Sequence, residues 1–273
     1  GMRGADRVGI DIKPSALARK ACTAKGLEAL GPWGACLWYQ KQGAPTGIKN
    51  VRGLIVTKAA DDLVGACALL QAYANAFAGG KKSSKKNGGV ALLLSRAEES
   101  GFHGTIDVLK RGILDPRRTH MISVETSSAL PGAEVNSGPV VRLGDRATVF
   151  DPALVAWVQS IAAAVKLRNK KFLYQRRVMD GGSCEATAFN LYGFKVAGLS
   201  TPLLNYHNIL QGSEKPAPEA VSMVDVEKLV ELTEAIMRAH SAKLLRTLDA
   251  TAFGALKKNL LANQAAHEKY FGE

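Results

Sequence analysis

The chain has 273 residues, of which 47% are hydrophobic and 22% charged, a mixture that excludes a disordered or fibrous protein. No apolar stretch reaches the roughly 18–20 residues that a membrane-spanning helix needs, so we expect no membrane partner. The 36 Lys and Arg outnumber the 24 Asp and Glu and give a formal charge of +12, which raises the question of nucleic-acid binding.

Residues 1–89 contain three predicted elements and one basic loop. Residues 15–30 are rich in Ala, Leu and Lys and predict a helix, and residues 51–57 predict a short strand. Asp61–Ala78 is almost wholly apolar after two acids and predicts a buried helix with carboxylates in its first turn. Much of the basic charge then falls in residues 79–89, a Gly/Ser/Lys segment without aromatic side chains on which bases could stack. We therefore expect a solvated loop there, and no nucleic-acid partner.

Beyond this loop, predicted strands and helices alternate. The strands are Gly89–Ser95 (expected to be buried on both faces), Met121–Thr126, Pro139–Leu143, Phe172–Val178 and Val196–Ser200. The helices are residues 104–112, a helix opened by Asp151 and Pro152, residues 184–192, a long helix capped by Ser222, and the last thirty residues. This alternation predicts an α/β fold, with a mixed, largely parallel sheet flanked by helices.

The cysteines and the first residues bear on the compartment. Cys22, Cys36, Cys67 and Cys184 lie far apart and form no CxxC pair, which argues against zinc-finger and redox motifs. The charges of residues 1–7 have no apolar run behind them, unlike those of a secretory signal. We expect a cytoplasmic protein with reduced and mostly buried thiols.

Acidic residues and one histidine follow several predicted strands. Asp61 and Asp62 follow the strand at residues 51–57, Glu98 and Glu99 follow Ser95, Glu125 lies near the end of its strand, and His207 lies at another strand-to-loop exit. The carboxyl ends of strands are where ligands gather in open α/β sheets. Four anionic groups there would repel one another unless a cation lay among them.

Each residue also has a simpler interpretation. The two aspartates could cap a helix, the two glutamates could be solvated acids opening a loop, and His207 could be a hydrogen-bonded core residue. Taken together, oxygen and imidazole ligands without thiolate suit zinc, manganese or cobalt. Of two adjacent glutamates, one can bind metal while the other acts as a general base.

Five segments resemble motifs of the glutamyl-aminopeptidase/cellulase-like family of zinc metallopeptidases, the tetrahedral aminopeptidase group. They occur in the family's order over about residues 55–240. Residues 60–66 (ADDLVGA) resemble LDDRxG, residues 96–104 (RAEESGFHG) resemble QEExGxxG, residues 124–126 (VET) stand at DVT, residues 181–186 (GGSCEA) resemble GGTDA, and residues 206–208 with 219–227 resemble RYIHSxxE running into DxxDVE.

The resemblance implies a zinc-exopeptidase (phosphorylase/hydrolase-like) three-layer fold and a hydrolase that removes N-terminal residues from peptides as a large homo-oligomer. It implies that Asp61 bridges two metal ions, that Glu99 and His207 bind one of them, and that Glu125 binds the other. Glu98 would be the general base. The expected cofactor is a divalent metal, zinc above all, with cobalt or manganese as alternatives.

The chain also departs from this family. The family has an N-terminal HxD segment whose histidine binds the same metal as Glu125, whereas all five histidines of this chain follow Asp61. Leu63 replaces the usual Arg and Glu185 an Asp. The expectation is therefore one well-formed metal site and a weaker second one, in a truncated chain or in a degenerate site.

Two functions follow from this comparison. The first is a metal-dependent aminopeptidase, and the second is a non-catalytic homologue of the same fold that acts in interaction or assembly. We assign residues 1–50 to an N-terminal segment, interpreted as the remnant of an inserted or separate domain, and residues 51–273 to a metallopeptidase-like catalytic domain. The substrate-binding residues stay unknown at this point.

Overall fold

A computed structural model describes residues 53–77 and 89–240, together with Ala262. The predicted helix at residues 15–30, the segment at residues 1–50 and nearly all of the basic loop lie outside the described residues. So does the predicted C-terminal helix, apart from Ala262. Within the described ranges, no helix combines the length and the apolar character that crossing a membrane requires.

The described elements alternate much as the sequence predicts. The strands are β1 (Leu54–Thr57), β2 (His120–Ser128), β3 (Val140–Asp145), β4 (Gln175–Met179), β5 (Lys195–Leu204) and β6 (Glu219–Ser222). The helices are α1 (Ala60–Phe77), α2 (His103–Lys110), α3 (Pro152–Arg168), α4 (Glu185–Leu191) and α5 (Met223–His240), and a 3₁₀ turn spans Tyr206–Asn208.

The six strands form one mixed sheet around β5. β2 runs parallel to β5 along one of its edges, from His120 opposite Lys195 to Ser128 opposite Leu203. The other edge of β5 is shared, because β3 pairs with it antiparallel first and β6 pairs with it antiparallel further along. β1 is antiparallel to β6, and β4 is parallel to β3. The predicted mixed sheet is confirmed, with two parallel and three antiparallel pairings among the described strands.

Two groups of helices flank this sheet. In the first group, α1 and α3 both pack against α5, and in the second group α2 packs against α4. Each group also contains helices that contact β5 or β2. Leu154 and Val158 of α3, together with Leu229 and Leu232 of α5, are almost completely buried in the main core. Their spacing of three and four residues is the pattern from which these helices are predicted.

The prediction of a buried strand at residues 89–95 is wrong. These residues were expected to form a strand buried on both faces, but no strand pairing forms there, and Leu93 and Leu94 are 39% and 52% exposed. An apolar run favours burial, yet a strand also requires a neighbour to satisfy its backbone N–H and C=O groups. No described strand pairs with this segment. Glu98 and Glu99 therefore follow an extended segment rather than a strand.

The start of α5 is held to a distant loop by a buried carboxylate. Asp225 is 0% exposed and accepts hydrogen bonds from the backbone N–H groups of Asn136 (2.8 Å) and Gly138 (2.7 Å). Ser222 accepts the N–H of Val224 at 3.1 Å, as the predicted helix cap does. These bonds fix the entry of β3, which follows Gly138, against the helix that packs on the sheet.

Replacing Asp225 by Ala is expected to lower the free energy of unfolding by about 2–4 kcal/mol. The substitution leaves two backbone N–H groups without a partner, at about 1–3 kcal/mol each. Urea unfolding followed by circular dichroism measures this change. The control is Asp180→Ala, which removes a carboxylate that is 67% exposed, and it is expected to have little effect. Equal losses in the two variants would contradict the assignment.

The two described cysteines differ in exposure, and Cys22 and Cys36 lie outside the described residues, so the expectation of mostly buried thiols stays a prediction. Both are free, but Cys67 on α1 is exposed, whereas Cys184 is buried and burial raises the pKa of its thiol to about 12. The thiolate is the reactive form. We expect a maleimide to label Cys67 in the native protein and Cys184 only after denaturation, as peptide mapping by mass spectrometry would show. Labelling of Cys184 under native conditions would contradict this placement.

Candidate active site

The sheet topology brings four chain segments to one edge. β5 and its parallel neighbour β2 end at this edge, and β1 ends there too, because it is antiparallel to β6, which is itself antiparallel to β5. Asp61 follows the end of β1, Glu125 lies near the end of β2, and His207 follows the end of β5. The segment carrying Glu98 and Glu99 is not part of the sheet but lies close to this edge, since the charge of Glu99 acts on Asp61 and that of Glu98 acts on Glu125.

The two aspartates at the start of α1 point to different partners. The peptide bond between them is cis, and their backbone angles are not helical. Asp62 accepts the N–H of Gly65 at 3.1 Å and so caps the helix, and a Cβ at position 65 would collide with this carboxylate. The capping interpretation thus holds for Asp62. The carboxyl group of Asp61 lies near Glu99 and His207, and burial raises its pKa to about 6.

Glu98 and Glu99 lie in a tight turn before α2. The backbone N–H groups of Gly101 and Phe102 bond to the carbonyl oxygen of Glu98 at 2.9 and 3.0 Å, which fixes the turn. The side chain of Glu98 is half-buried, and that of Glu99 is exposed. Burial, followed by the charge of Glu99, raises the pKa of Glu98 to about 7. A carboxylate with a pKa near 7 is suited to accept a proton at neutral pH.

Glu125 is the most buried of the predicted site residues. It lies on β2 opposite Ser200 of β5, is 7% exposed, and accepts a hydrogen bond from the hydroxyl of Ser123 at 3.2 Å. Burial raises the pKa of Glu125 to about 8, against the charge of Arg142. Burial and then Glu125 raise the pKa of Asp62 to about 9. The interior of the site therefore holds more carboxyl groups than it can ionise without added positive charge.

His207 lies in the 3₁₀ turn after β5 and is exposed, so it is not a core histidine. Its ring stacks on that of Tyr206 with the centroids 3.8 Å apart. The neighbouring Asn208 donates to a carboxylate oxygen of Glu219 at 3.2 Å and to the carbonyl oxygen of Lys58 at 2.9 Å. These two bonds tie the turn to the segment that leads into Asp61.

Two further acids belong to the site and were not assigned from the sequence. Glu219, at the start of β6, is 2% exposed and accepts the backbone N–H of Asp61 at 3.0 Å. Glu185, at the start of α4, accepts hydrogen bonds from the hydroxyls of Ser95 and Thr105. Both stand inside segments that resemble family motifs, and that resemblance was the signal that could have singled them out.

The donor set suits a divalent cation in its chemistry, but the side chains are not gathered around one point. No group of three or more His, Cys, Asp or Glu side chains in the described ranges is arranged to hold a metal ion. The donors nonetheless fit such an ion, because they are carboxylates and one imidazole. Burial, and after it repulsion from neighbouring carboxylates, raises the pKa values of Asp61, Glu98 and Glu125, and a bound cation would lower them again.

A protein-family model covers most of this site. The model of the M42 glutamyl aminopeptidases matches residues 43–232, well over half of the chain. The chain belongs to the M42 glutamyl aminopeptidase family. This match confirms the resemblance on which the assigned motifs rest. None of the curated protein sequences matches the chain.

Solved structures share the M42 fold of this chain at low sequence identity. They include the dodecameric PhTET1-12s, which is 21% identical with a TM-score of 0.51 and matches over 67% of this chain and 50% of its own. An aminopeptidase from the archaeon Desulfurococcus kamchatkensis is 21% identical (TM-score 0.50; 68% and 49% covered). A TET aminopeptidase from a marine sediment Thaumarchaeota archaeon is 18% identical (TM-score 0.52; 68% and 49% covered). The chain spans about half the length of these proteins.

Proposed function

We propose that this M42 protein is a metal-dependent aminopeptidase that hydrolyses the first peptide bond of a peptide. The observation that carries the proposal is the meeting of Asp61, Glu98, Glu99, Glu125 and His207 at one edge of the sheet. These are the donor and base types that peptide hydrolysis with a divalent metal requires. Their burial and mutual repulsion leave the site short of positive charge.

In this proposal, Asp61, Glu99 and His207 would hold a divalent cation, zinc above all, with cobalt or manganese as alternatives. Glu125 and Asp61 are the only predicted ligands of a second, weaker position. The bound cation supplies Lewis-acid chemistry, which polarises a carbonyl and makes water more acidic.

Glu98 accepts the proton of the attacking water and can pass it to the leaving amine, a task suited to its pKa of about 7. An acidic residue at this edge of the sheet would hold the free α-amino group of the substrate.

The direct test is release of a chromophore from aminoacyl substrates by the protein loaded with zinc, cobalt or manganese. Total metal is measured on the same samples by mass spectrometry. We expect turnover that disappears on chelation and returns with metal. Bound metal without any turnover would instead favour the alternative, a non-catalytic homologue of this fold.

A cavity next to the 3₁₀ turn suggests where the first side chain of the substrate binds. It has a volume of about 250 Å³, it is lined in part by Ser128, Leu203, Tyr206 and Gln211, and its lining contains no charged side chain. Tyr206 links it to the site, because its ring stacks on that of His207. A charged side chain would find no ionic partner among the described residues that line the cavity, whereas an apolar one could pack against Leu203 and Tyr206.

We therefore expect N-terminal Leu or Met to be cleaved at least about tenfold faster than N-terminal Glu or Lys, measured as kcat/KM over a panel of substrates. Gln211→Lys should shift the preference toward Glu, and Gln211→Leu, its uncharged control, should not. A wild-type preference for Glu would contradict this use of the cavity.

Three properties of the whole protein complete the proposal. We propose a homo-oligomer, since PhTET1-12s is a dodecamer, and a cytoplasmic location with peptides as substrates. We also propose that the catalytic domain begins near residue 51, although the family match starts eight residues earlier, at residue 43. Light scattering of the purified chain tests the oligomeric state.

A further inference from the structure

A buried guanidinium lies beside the carboxyl groups of the proposed active site. Arg142 on β3 is 3% exposed, and its Nε and Nη1 atoms have no hydrogen-bond partner within the described ranges. The salt bridges found between described residues do not include it. Arginine stays protonated in proteins, and buried charges are normally paired. The Cζ atom of Arg142 lies 5.9 Å from the centroid of the Phe150 ring, a cation–π contact that offsets part of the cost of burying the charge. Because the ring has no net charge, Arg142 still calls for a balancing carboxylate nearby.

The strand register points to Glu125 as that group. Arg142 lies opposite Gly198 of β5, and on the other edge of β5 Glu125 lies opposite Ser200, two residues further along. Side chains alternate along a strand, so positions two residues apart share a face. Arg142 and Glu125 thus stand on the same face of the sheet, on either side of β5. Their backbones are separated by roughly 12 Å, a gap that two long side chains can narrow.

Gly198 allows the side chain of Arg142 to cross β5. A Cβ atom at position 198 would lie 3.1 Å from both Cβ and Cδ of Arg142, and 2.8 Å from the ring of Phe150. The aliphatic stem of Arg142 therefore runs over the glycine, in the direction of β2. Among the charges near Glu125, that of Arg142 acts most strongly to lower its pKa, and it acts in the same sense on Asp61 and Glu98.

We propose that Arg142 is a built-in counter-charge of Glu125 that takes the place of one of two divalent cations, so that the chain holds one cation instead of two. This inference rests on the metal site of the proposed function. A second cation near Glu125 would face a guanidinium that cannot lose its proton and, buried as it is, cannot turn into solvent. A unit charge within roughly 8 Å of a divalent ion changes its binding by at least about tenfold.

Metal titration of three proteins tests the proposal. Zinc and manganese are titrated by calorimetry, and bound metal is counted after gel filtration. We expect one ion per chain in the wild type and in Arg142→Lys, which keeps the charge. We expect two in Arg142→Met, which keeps most of the stem, with the second ion bound at least about tenfold more tightly than in the wild type. Two ions in the wild type, or equal numbers in the wild type and the Met variant, would overturn the proposal.

A second variant covers the case in which Arg142→Met does not fold. The double variant Arg142→Met with Glu125→Gln removes the charge and its counter-charge together. Recovery of the folded state, followed by circular dichroism, supports charge balance between these two residues. A double variant as unstable as Arg142→Met alone refutes it, because the loss would then be one of packing against Phe150.

The outcomes also separate this inference from the proposed function. One ion in the wild type and two in Arg142→Met, without hydrolysis in either, would support the role of Arg142 and refute the aminopeptidase. Hydrolysis with equal numbers of ions in both proteins would do the reverse.

Discussion

Replacing Glu98 by Gln is expected to lower the kcat of peptide hydrolysis by about 10²–10⁴-fold and to leave the affinity for the metal nearly unchanged. Gln has the shape of Glu but cannot accept the proton of the attacking water, and general-base catalysis contributes a factor of this size. Burial and the charge of Glu99 hold the pKa of Glu98 near 7, so the carboxylate is a stronger base than an exposed glutamate. Steady-state kinetics on the metal-loaded protein, with metal content measured in parallel, gives both quantities.

The matched control for this experiment is Glu227→Gln, which makes the same chemical change at an exposed position of α5. It should retain wild-type kinetics. If Glu98→Gln keeps full turnover, Glu98 is not the base. If it loses metal as well as turnover, its carboxylate acts as a ligand and the roles of Glu98 and Glu99 need to be exchanged.

Replacing His207 by Ala is expected to weaken metal binding by more than the roughly 10–100-fold that is typical when a residue supporting a metal ligand is lost. Among the described residues, His207 is an imidazole whose charge lowers the pKa of the carboxyl group of Asp61. Without it, the proposed well-formed position keeps only Asp61 and Glu99. Metal content after gel filtration at stoichiometric zinc measures the loss, and activity should fall in parallel.

His120→Ala is the control for this second experiment. His120 begins β2, at the opposite end of the strand from the site, and its removal should leave metal content unchanged. If His207→Ala binds metal as tightly as the wild type, the imidazole is not a ligand. Its stacking on Tyr206 would then be a purely structural contact.

The local patterns predict much of the fold. The spacing of Leu229 and Leu232 predicts the buried face of α5, and Asp151 with Pro152 predicts the start of α3, where Asp151 accepts the N–H of Leu154 at 2.7 Å. These features depend on residues three or four positions apart, so the sequence contains all that is needed to read them. The antiparallel pairing of β3 and β6 with β5 cannot be predicted in this way. The four residues of β6 pair with segments far away in the chain, and no local periodicity marks them.

For the site, the sequence identified the residue types and their order along the chain, whereas the structure showed the burial and the neighbours of each side chain. The sequence determined that acids follow β1 and lie near the end of β2, that a pair of glutamates precedes α2, and that a histidine follows β5. The residue pattern by itself could not distinguish Asp61, whose carboxyl group enters the site, from Asp62, which caps the helix, and only the family resemblance singled out Asp61. The difference is one of backbone direction at a single junction.

The tertiary structure alone decided which charged groups become buried and which apolar ones do not. Glu219 and Arg142 are 2% and 3% exposed, although acids and arginines are usually found at the surface. Leu94 is 52% exposed in a run that reads as an interior strand. Burial and pairing depend on which distant segments arrive at the same place, here the strands on either side of β5. Short stretches of the sequence identify the side chains of the site. The free energy of bringing these side chains together depends on contacts across the whole sheet, which short stretches do not contain.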